Sequence, residues 1–205
     1  EATQREPQDP AVLQPDLWTD HGQYSPTSEF GKKTKSTPLG SLDAPLRPLS
    51  GAMGAECSFI ARVLDTDAKA MQEVFTAAHH HKGTAFIEIM QNCPVFNDGA
   101  WAAVADKKTR ADSSLVVKHG EPMMMADGKR GAGWEKGHLV LKTVGEDGVT
   151  MDDVVVHDAH EPDETTLFAL TRWDLPERPL PTGVLRAVDR PVYTDLIREQ
   201  VDQAR

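Results

Sequence analysis

The sequence predicts an α/β fold, and three local observations carry that prediction. From Cys57 to Asp65 the string CSFIARVLD alternates and is rich in β-branched and aromatic residues, as a strand requires. The period then changes: Met71, Val74, Phe75 and Ala78 stand at i, i+3, i+4 and i+7, the spacing of one buried helix face. Thr84–Met90 (TAFIEIM) is a short apolar run suited to a buried strand. A strand, a helix and a strand within about 35 residues form a β–α–β unit, which places its two strands parallel in one sheet.

The other elements are read outward from this unit. Asp65 or Thr66 is available to cap the start of the helix, and Gly83 to close its end. Seven of the 14 prolines fall within the first 48 residues, where no hydrophobic period exceeds a turn, so residues 1–50 read as an arm of turns and extended pieces. Residues 92–110 read as loop, with Trp101 covering apolar surface. Strands are expected at Ser114–His119, His138–Val144 and Val154–His157, and residues 120–137 read as a hairpin or an irregular excursion. Short helices are expected at Glu164–Leu170 and Val192–Ala204. Between them, PERPLPTG reads as a connector and Val184–Val188 as a strand.

Composition narrows the function classes. The 205 residues include 32 acidic and 22 basic side chains, for a net charge of −10, which is the wrong sign for a general nucleic-acid binder or an anionic membrane surface. No window approaches the roughly 20 apolar residues of a membrane span, and the first ten residues are polar. A cytoplasmic protein with no nucleic-acid or membrane partner is expected. Two cysteines, Cys57 and Cys93, make no disulfide framework, and neither belongs to a CxxC pair.

Four groups of residues could carry chemistry. The adjacent histidines His79–His81 point about 100° apart on a helix and cannot converge on one ion; a helix C-terminus favours such cations without any ligand. His157 and His160 have HxxH spacing, but the preceding Val-Val-Val argues for a strand end rather than one helical face. Lys32, Lys33 and Lys35, interleaved with Thr34, Ser36 and Thr37, suit an anionic group such as a phosphate, or a solvated turn. Cys93, just past the second strand, stands where open α/β sheets hold ligands, while a thiol alone is more often packing than chemistry. Ser25-Pro26-Thr27-Ser28 has hydroxyls but no nearby base, and no Gly-rich phosphate loop is present.

Three motifs in order, Gly22-Gln23-Tyr24-Ser25-Pro26-Thr27-Ser28, then Thr34-Lys35-Ser36-Thr37-Pro38-Leu39-Gly40, then Gln91-Asn92-Cys93-Pro94-Val95-Phe96-Asn97, resemble the β subunit of 2-oxoacid:ferredoxin oxidoreductases, most closely the 2-oxoglutarate type. The VVVHDAH string and Gly183–Gln200 look like the same subunit's C-terminal extension. The resemblance implies an incomplete thiamine-diphosphate-type domain: 1–21 a divergent stretch, 22–101 the C-terminal part of that domain and the β–α–β edge of its parallel sheet, and 102–205 an α+β extension. It also implies oxidative decarboxylation of a 2-oxoacid on thiamine diphosphate and Mg²⁺, a [4Fe–4S] cluster, coenzyme A as co-substrate, and an α subunit and ferredoxin as partners. By the same resemblance Cys93 matches one of four cluster thiolates, and Gly22, Gln23 and Lys35 fall on the cofactor-binding motifs.

Departures from the family pattern are also visible. The family's Gly-Asp-Gly motif and downstream Asn precede the Gly-Gln-Tyr-Ser loop, whereas residues 1–21 here hold no Asn and no Gly. Its Leu-Thr-Lys-Gly-Gln approach is replaced by Trp18-Thr19-Asp20-His21-Gly22-Gln23, with His21 at the place of a substrate-facing lysine. Only Cys57 remains as a second cysteine, and it falls at a strand. The expectation is a partial β subunit, inactive alone and completed by sequence outside this chain; the alternative is a non-catalytic remnant or assembly module.

Overall fold

The computed structural model describes residues 11–13, 24–94 and 97–205. The expected β–α–β unit is its centre: β2 (Phe59–Leu64), α2 (Ala68–His80) and β3 (Ala85–Met90), with β2 and β3 paired in parallel over six residue pairs. β2 is buried along its whole length, since sheet neighbours flank it and both faces are covered. Phe59, Ala61 and Val63 of β2 and Ile87 and Ile89 of β3 face α2, which answers with Met71, Val74, Phe75 and Ala78. Burying a side chain such as Val74 is worth about 1.5–3 kcal/mol, and here it fixes the helix to the strands.

The cap lies just past both residues that the sequence suggests. Asp67, not Asp65 or Thr66, accepts from Ala70 N at 3.1 Å, which leaves Asp65 free to bond elsewhere. At the other end the helix stops at His80, with His81 as its cap, before Gly83.

The unit is interior to the sheet, not its edge. The strand order is β1-β3-β2-β7-β4, with β1 (Ala11–Leu13) parallel to β3, β7 (Leu180–Ala187) antiparallel to β2, and β4 (Ser114–Val117) parallel to β7. The sheet is therefore mixed, and it runs unbroken across position 101. β7 begins inside the segment that reads as a connector, because Pro181 and Gly183 disguise it. Pro181 pairs with Leu115 of β4 before β7 reaches β2, so the strand has a neighbour on one side only where the proline lacks its N–H. At Gly183, with φ +110°, a Cβ would stand 2.4 Å from Val117 O.

The opposite face of the sheet is covered by α1 (Pro48–Gly54), α5 (Thr165–Thr171) and a two-stranded hairpin of β5 (Arg130–Glu135) and β6 (His138–Thr143). Leu49, Ile60, Leu115, Met123, Leu170 and Trp173 meet there. α1 is not foreseen by the sequence reading, since Pro48 at its first turn belongs to the proline-rich arm. The expected strand at Val154–His157 is reduced to an isolated bridge between Val156 and Pro122, a residue with no amide to extend the ladder. Two short helices, α3 (Ala102–Ala105) and α4 (Lys107–Ser113), occupy the expected loop, with Trp101 packed beside Leu64, Met90 and Val104. α6 (Tyr193–Gln203) ends the chain with no buried residue.

Replacing Asp67 by Ala removes the α2 cap and the carboxylate that meets Arg110 of α4 at 3.4 Å. Urea unfolding should show a loss of about 1–2 kcal/mol at unchanged m; a loss below about 0.3 kcal/mol would contradict the capping role.

Candidate functional site at the carboxyl ends of the strands

Two loops meet at the carboxyl end of the parallel strands. The first follows β3 directly: Asn92 and Cys93 leave the strand and the chain turns back, so that Asn97 N donates to Cys93 O at 2.9 Å and the two residues form an antiparallel bridge. Asn92 staples the base of this turn. Its Nδ2 donates to Asp98 Oδ1 at 2.9 Å, its Oδ1 accepts from Gly99 N at 2.8 Å, and its own amide donates to Asp65 Oδ2 at 3.3 Å. Asp65 stands at the end of β2, so the side-by-side ending of β2 and β3 holds the cysteine turn. The Cys93 thiol is free and half-buried.

The second loop is residues 24–47. Ser25 and Ser28 are buried and bond each other, Ser28 N to Ser25 O and Ser25 N to Ser28 Oγ, both at 2.9 Å. These hydroxyls build a turn, bonded among the described residues to one another and to the backbone. The lysine segment is a closed excursion pinched at its neck, where Gly31 N donates to Ser41 O at 2.9 Å and Ser41 N to Lys32 O at 3.0 Å. At Gly40 a Cβ would lie 2.7 Å from Gly31 O. Lys33 and Lys35 are exposed, while the Lys32 ammonium turns inward to Asn97 Oδ1 of the cysteine turn and to Glu29 Oε1 at 3.1 Å. Gly22 and Gln23 lie outside the described residues.

The histidines take structural places. His79 and His80 are exposed at the end of α2. His81 is inward, its Nε2 2.8 Å from Ser58 Oγ and its Nδ1 3.5 Å from Asp189 Oδ1. This Ser-His-Asp alignment is not a nucleophile site: Ser58 is 1% exposed and its oxygen already accepts from Thr84 N at 2.9 Å. His157 and His160 do not converge on a common point; they bond the Val184 and Ala187 carbonyls of β7 at 2.8 and 2.6 Å. Among the described residues no three His, Cys, Asp or Glu side chains are grouped to hold a metal ion. Cys57 precedes β2 and Cys93 follows β3, so the two cysteines flank opposite ends of a parallel pair about 20 Å long. Cys93 is half-buried and free of a disulfide. A four-cysteine cluster needs three more from elsewhere. A separate apolar groove of about 410 Å³ lies between α2 and the β4–β7 strands, lined by Val74, Val116, Thr182 and Val184.

No protein-family model matches the chain. Over 194 residues it is 45% identical to 2-oxoglutarate oxidoreductase subunit KorB of Mycobacterium tuberculosis, covering 90% of this chain and 49% of that protein. The chain is similar to 2-oxoacid:ferredoxin oxidoreductase β subunits. A β subunit from Saccharolobus solfataricus is 39% identical over 77 residues, 38% of this chain and 25% of the relative. A 2-oxoglutarate:ferredoxin oxidoreductase from Magnetococcus marinus, solved with 2-oxoglutarate, coenzyme A and succinyl-CoA bound, superposes with a TM-score of 0.55 at 24% identity over 88% of this chain and 47% of that one, a likeness of fold. The chain spans about half the length of the Mycobacterium tuberculosis relative. The motif resemblance is thereby borne out, as is the α/β fold class. Asn92 and Asn97 stand inside the third motif but had no role assigned to them, and Asp65 falls outside the motifs: each is a polar loop residue whose role needs a partner 6 to 65 positions away.

Burial lowers the pKa of His157, and it lowers that of His81 against the opposing pull of Asp189. Folding therefore favours the neutral rings, and the unfolded chain takes up protons that the folded chain refuses as pH falls below about 6.5. Urea midpoints should drop between pH 7.5 and 5.5; a midpoint that is flat or rises on acidification would contradict neutral buried histidines.

Proposed function

We propose that this chain forms part of the β subunit of a 2-oxoacid:ferredoxin oxidoreductase, with 2-oxoglutarate as the substrate. In the overall reaction a 2-oxoacid and coenzyme A yield acyl-CoA and CO₂, and two electrons pass to ferredoxin. The observation that carries this reading is the 45% identity to KorB over 90% of the chain, with Cys93 placed at the carboxyl ends of the parallel strands. The catalytic subunit is cytoplasmic, pairs with an α subunit and meets ferredoxin; no described helix is long and apolar enough to cross a membrane.

Thiamine diphosphate, with Mg²⁺, supplies the carbanion chemistry when bound. Gly22, Gln23 and Lys35 fall on the motifs that the resemblance gives to that cofactor, and the exposed side chains of Lys33 and Lys35 suit the phosphates of the cofactor or of coenzyme A. Cys93 is one of four thiolate ligands of a [4Fe–4S] cluster, carried on the turn that Asn92 and Asp65 brace. The chain has only two cysteines, and no motif resembling the family's Mg²⁺ site is found before Gly22, so the remaining ligands are assigned to sequence outside this chain.

Two measurements test this. In the αβ complex whose β subunit contains this chain, Cys93→Ser should lower bound iron and bleach the thiolate-to-iron absorbance; unchanged iron and absorbance would remove Cys93 from the ligand set. The chain alone should show no Mg²⁺-dependent heat with thiamine diphosphate in calorimetry, and micromolar Mg²⁺-dependent binding would contradict the shared site.

A further inference from the structure

One face of the sheet is a helix short. α2 covers β2 and β3, while on the same side β7 and β4 form the floor of the apolar groove, with Val116 of β4 52% exposed. Among the described helices only α4 touches that groove, through Arg110 at one end, and α1 and α5 lie on the opposite face. Strands two apart in a sheet are separated by about 10 Å, the spacing of helices packed side by side, so the floor has room for one helix next to α2.

The chain also carries a helix without a floor. α6 has no buried residue, yet Tyr193, Leu196, Ile197 and Val201 form one apolar stripe, each more than 40% exposed. At about 100° per residue, Arg198 flanks that stripe on one side and Glu199 on the other. The groove is edged in the complementary way, with Glu73 on its α2 wall and Lys118 at the end of β4. Val117 pairs with Gly183 and Gly183 with Arg62, so Lys118 is level with the middle of β2 and hence with Glu73 in the middle of α2. A helix laid in the groove with one polarity sets Arg198 against Glu73 and Glu199 against Lys118, with its apolar stripe over Val116 and Val184. The chain's own α6 is held away. Its linker turns from β7 toward β2 and away from β4: Val188 N donates to Ser58 O and Arg190 N to Lys82 O, both at 2.9 Å, and the Arg190 guanidinium is 2.7 Å from Glu56 Oε2.

We propose that the groove receives α6 of a second copy of this chain, each copy giving its helix to the other's groove about a two-fold axis. Such an exchange is self-complementary and closes at two copies. Burial of the two apolar surfaces drives it, and the charge pairs fix the polarity of the helix, since exposed ion pairs add little affinity. None of these residues belongs to the cysteine turn or to loop 24–47, so the pairing stands apart from the reading of Cys93.

Cross-linking in the αβ complex whose β subunit contains this chain tests it. Val116→Cys together with Ile197→Cys should give a disulfide-linked pair of β subunits under mild oxidation with copper phenanthroline, at several-fold higher yield than either single variant. Glu73→Arg should lower that yield several-fold, and adding Arg198→Glu should restore it. All four side chains are largely exposed, so an unchanged urea midpoint separates a lost contact from a lost fold. The link is read on the β subunit alone and needs neither the α subunit nor a cluster. No β–β product, a link formed within one chain, or a yield indifferent to Glu73→Arg would overturn the proposal. So would Val116→Cys shielded from maleimide with no β–β product, which would seat another segment in the groove.

Discussion

A buried ion pair sets the register on which the site depends. Arg62 of β2 and Glu88 of β3 are direct partners across the parallel ladder, joined Nε to Oε2 at 2.7 Å, with side chains 6% and 2% exposed. They lie on the sheet face away from α2, between the apolar groups around Ile60 and those around Leu64 and Met90. Any slip of one strand against the other would strand two charges in a dry interior, at a cost of several kcal/mol each. Apolar neighbours alone would not discriminate so sharply, because Ile87, Ile89 and Val63 could repack in a shifted frame. With Arg62 opposite Glu88, Leu64 stands opposite Met90, and Asp65 is then placed to take the amide of Asn92. The position of Cys93 descends from that chain of pairings.

The second layer of organisation is how separate loops are tied at the strand ends. Arg110 of α4 donates to the Val104 and Ala105 carbonyls and reaches Thr66 and Asp67, so one guanidinium fastens α3 and α4 to the start of α2. Lys32 does the equivalent for loop 24–47 and the cysteine turn. Both cations are fixed by several oxygens rather than one carboxylate, the arrangement in which partly buried charges hold geometry. On the other side of the sheet Arg186 of β7 reaches Glu164 at the start of α5 at 3.1 Å, and this bond ties the last strand to the second layer.

Much of the centre was legible before any coordinates. The β-branched string of β2, the 3.6-residue period of α2 and the short apolar run of β3 located the three elements, because α2 buries one face against strands that are themselves buried. The family motifs pointed to Cys93 and to the lysine loop. What stayed hidden depends on partners distant in sequence. β7 carries Pro181 and Gly183, residues that read as a connector until β4 is seen to pair with the strand on one side only. α1 starts at Pro48, inside a proline-rich arm whose composition argues for turns. The inward turn of Lys32 could not be told from the outward turn of Lys33 and Lys35, since all three share one short charge run. The β–α–β unit was expected at an edge because the pieces that flank it, three residues of β1 and the disguised β7, carry little signal of their own.

A double-mutant cycle on Arg62 and Glu88, followed by urea unfolding of the chain, tests the register account most directly. Arg62→Met or Glu88→Leu alone should cost about 3–5 kcal/mol, because each leaves the other charge buried and unpaired, while the double variant should recover most of that loss. Additive losses, with the double variant at the sum of the two single ones, would show that the pair does not hold the strands in register.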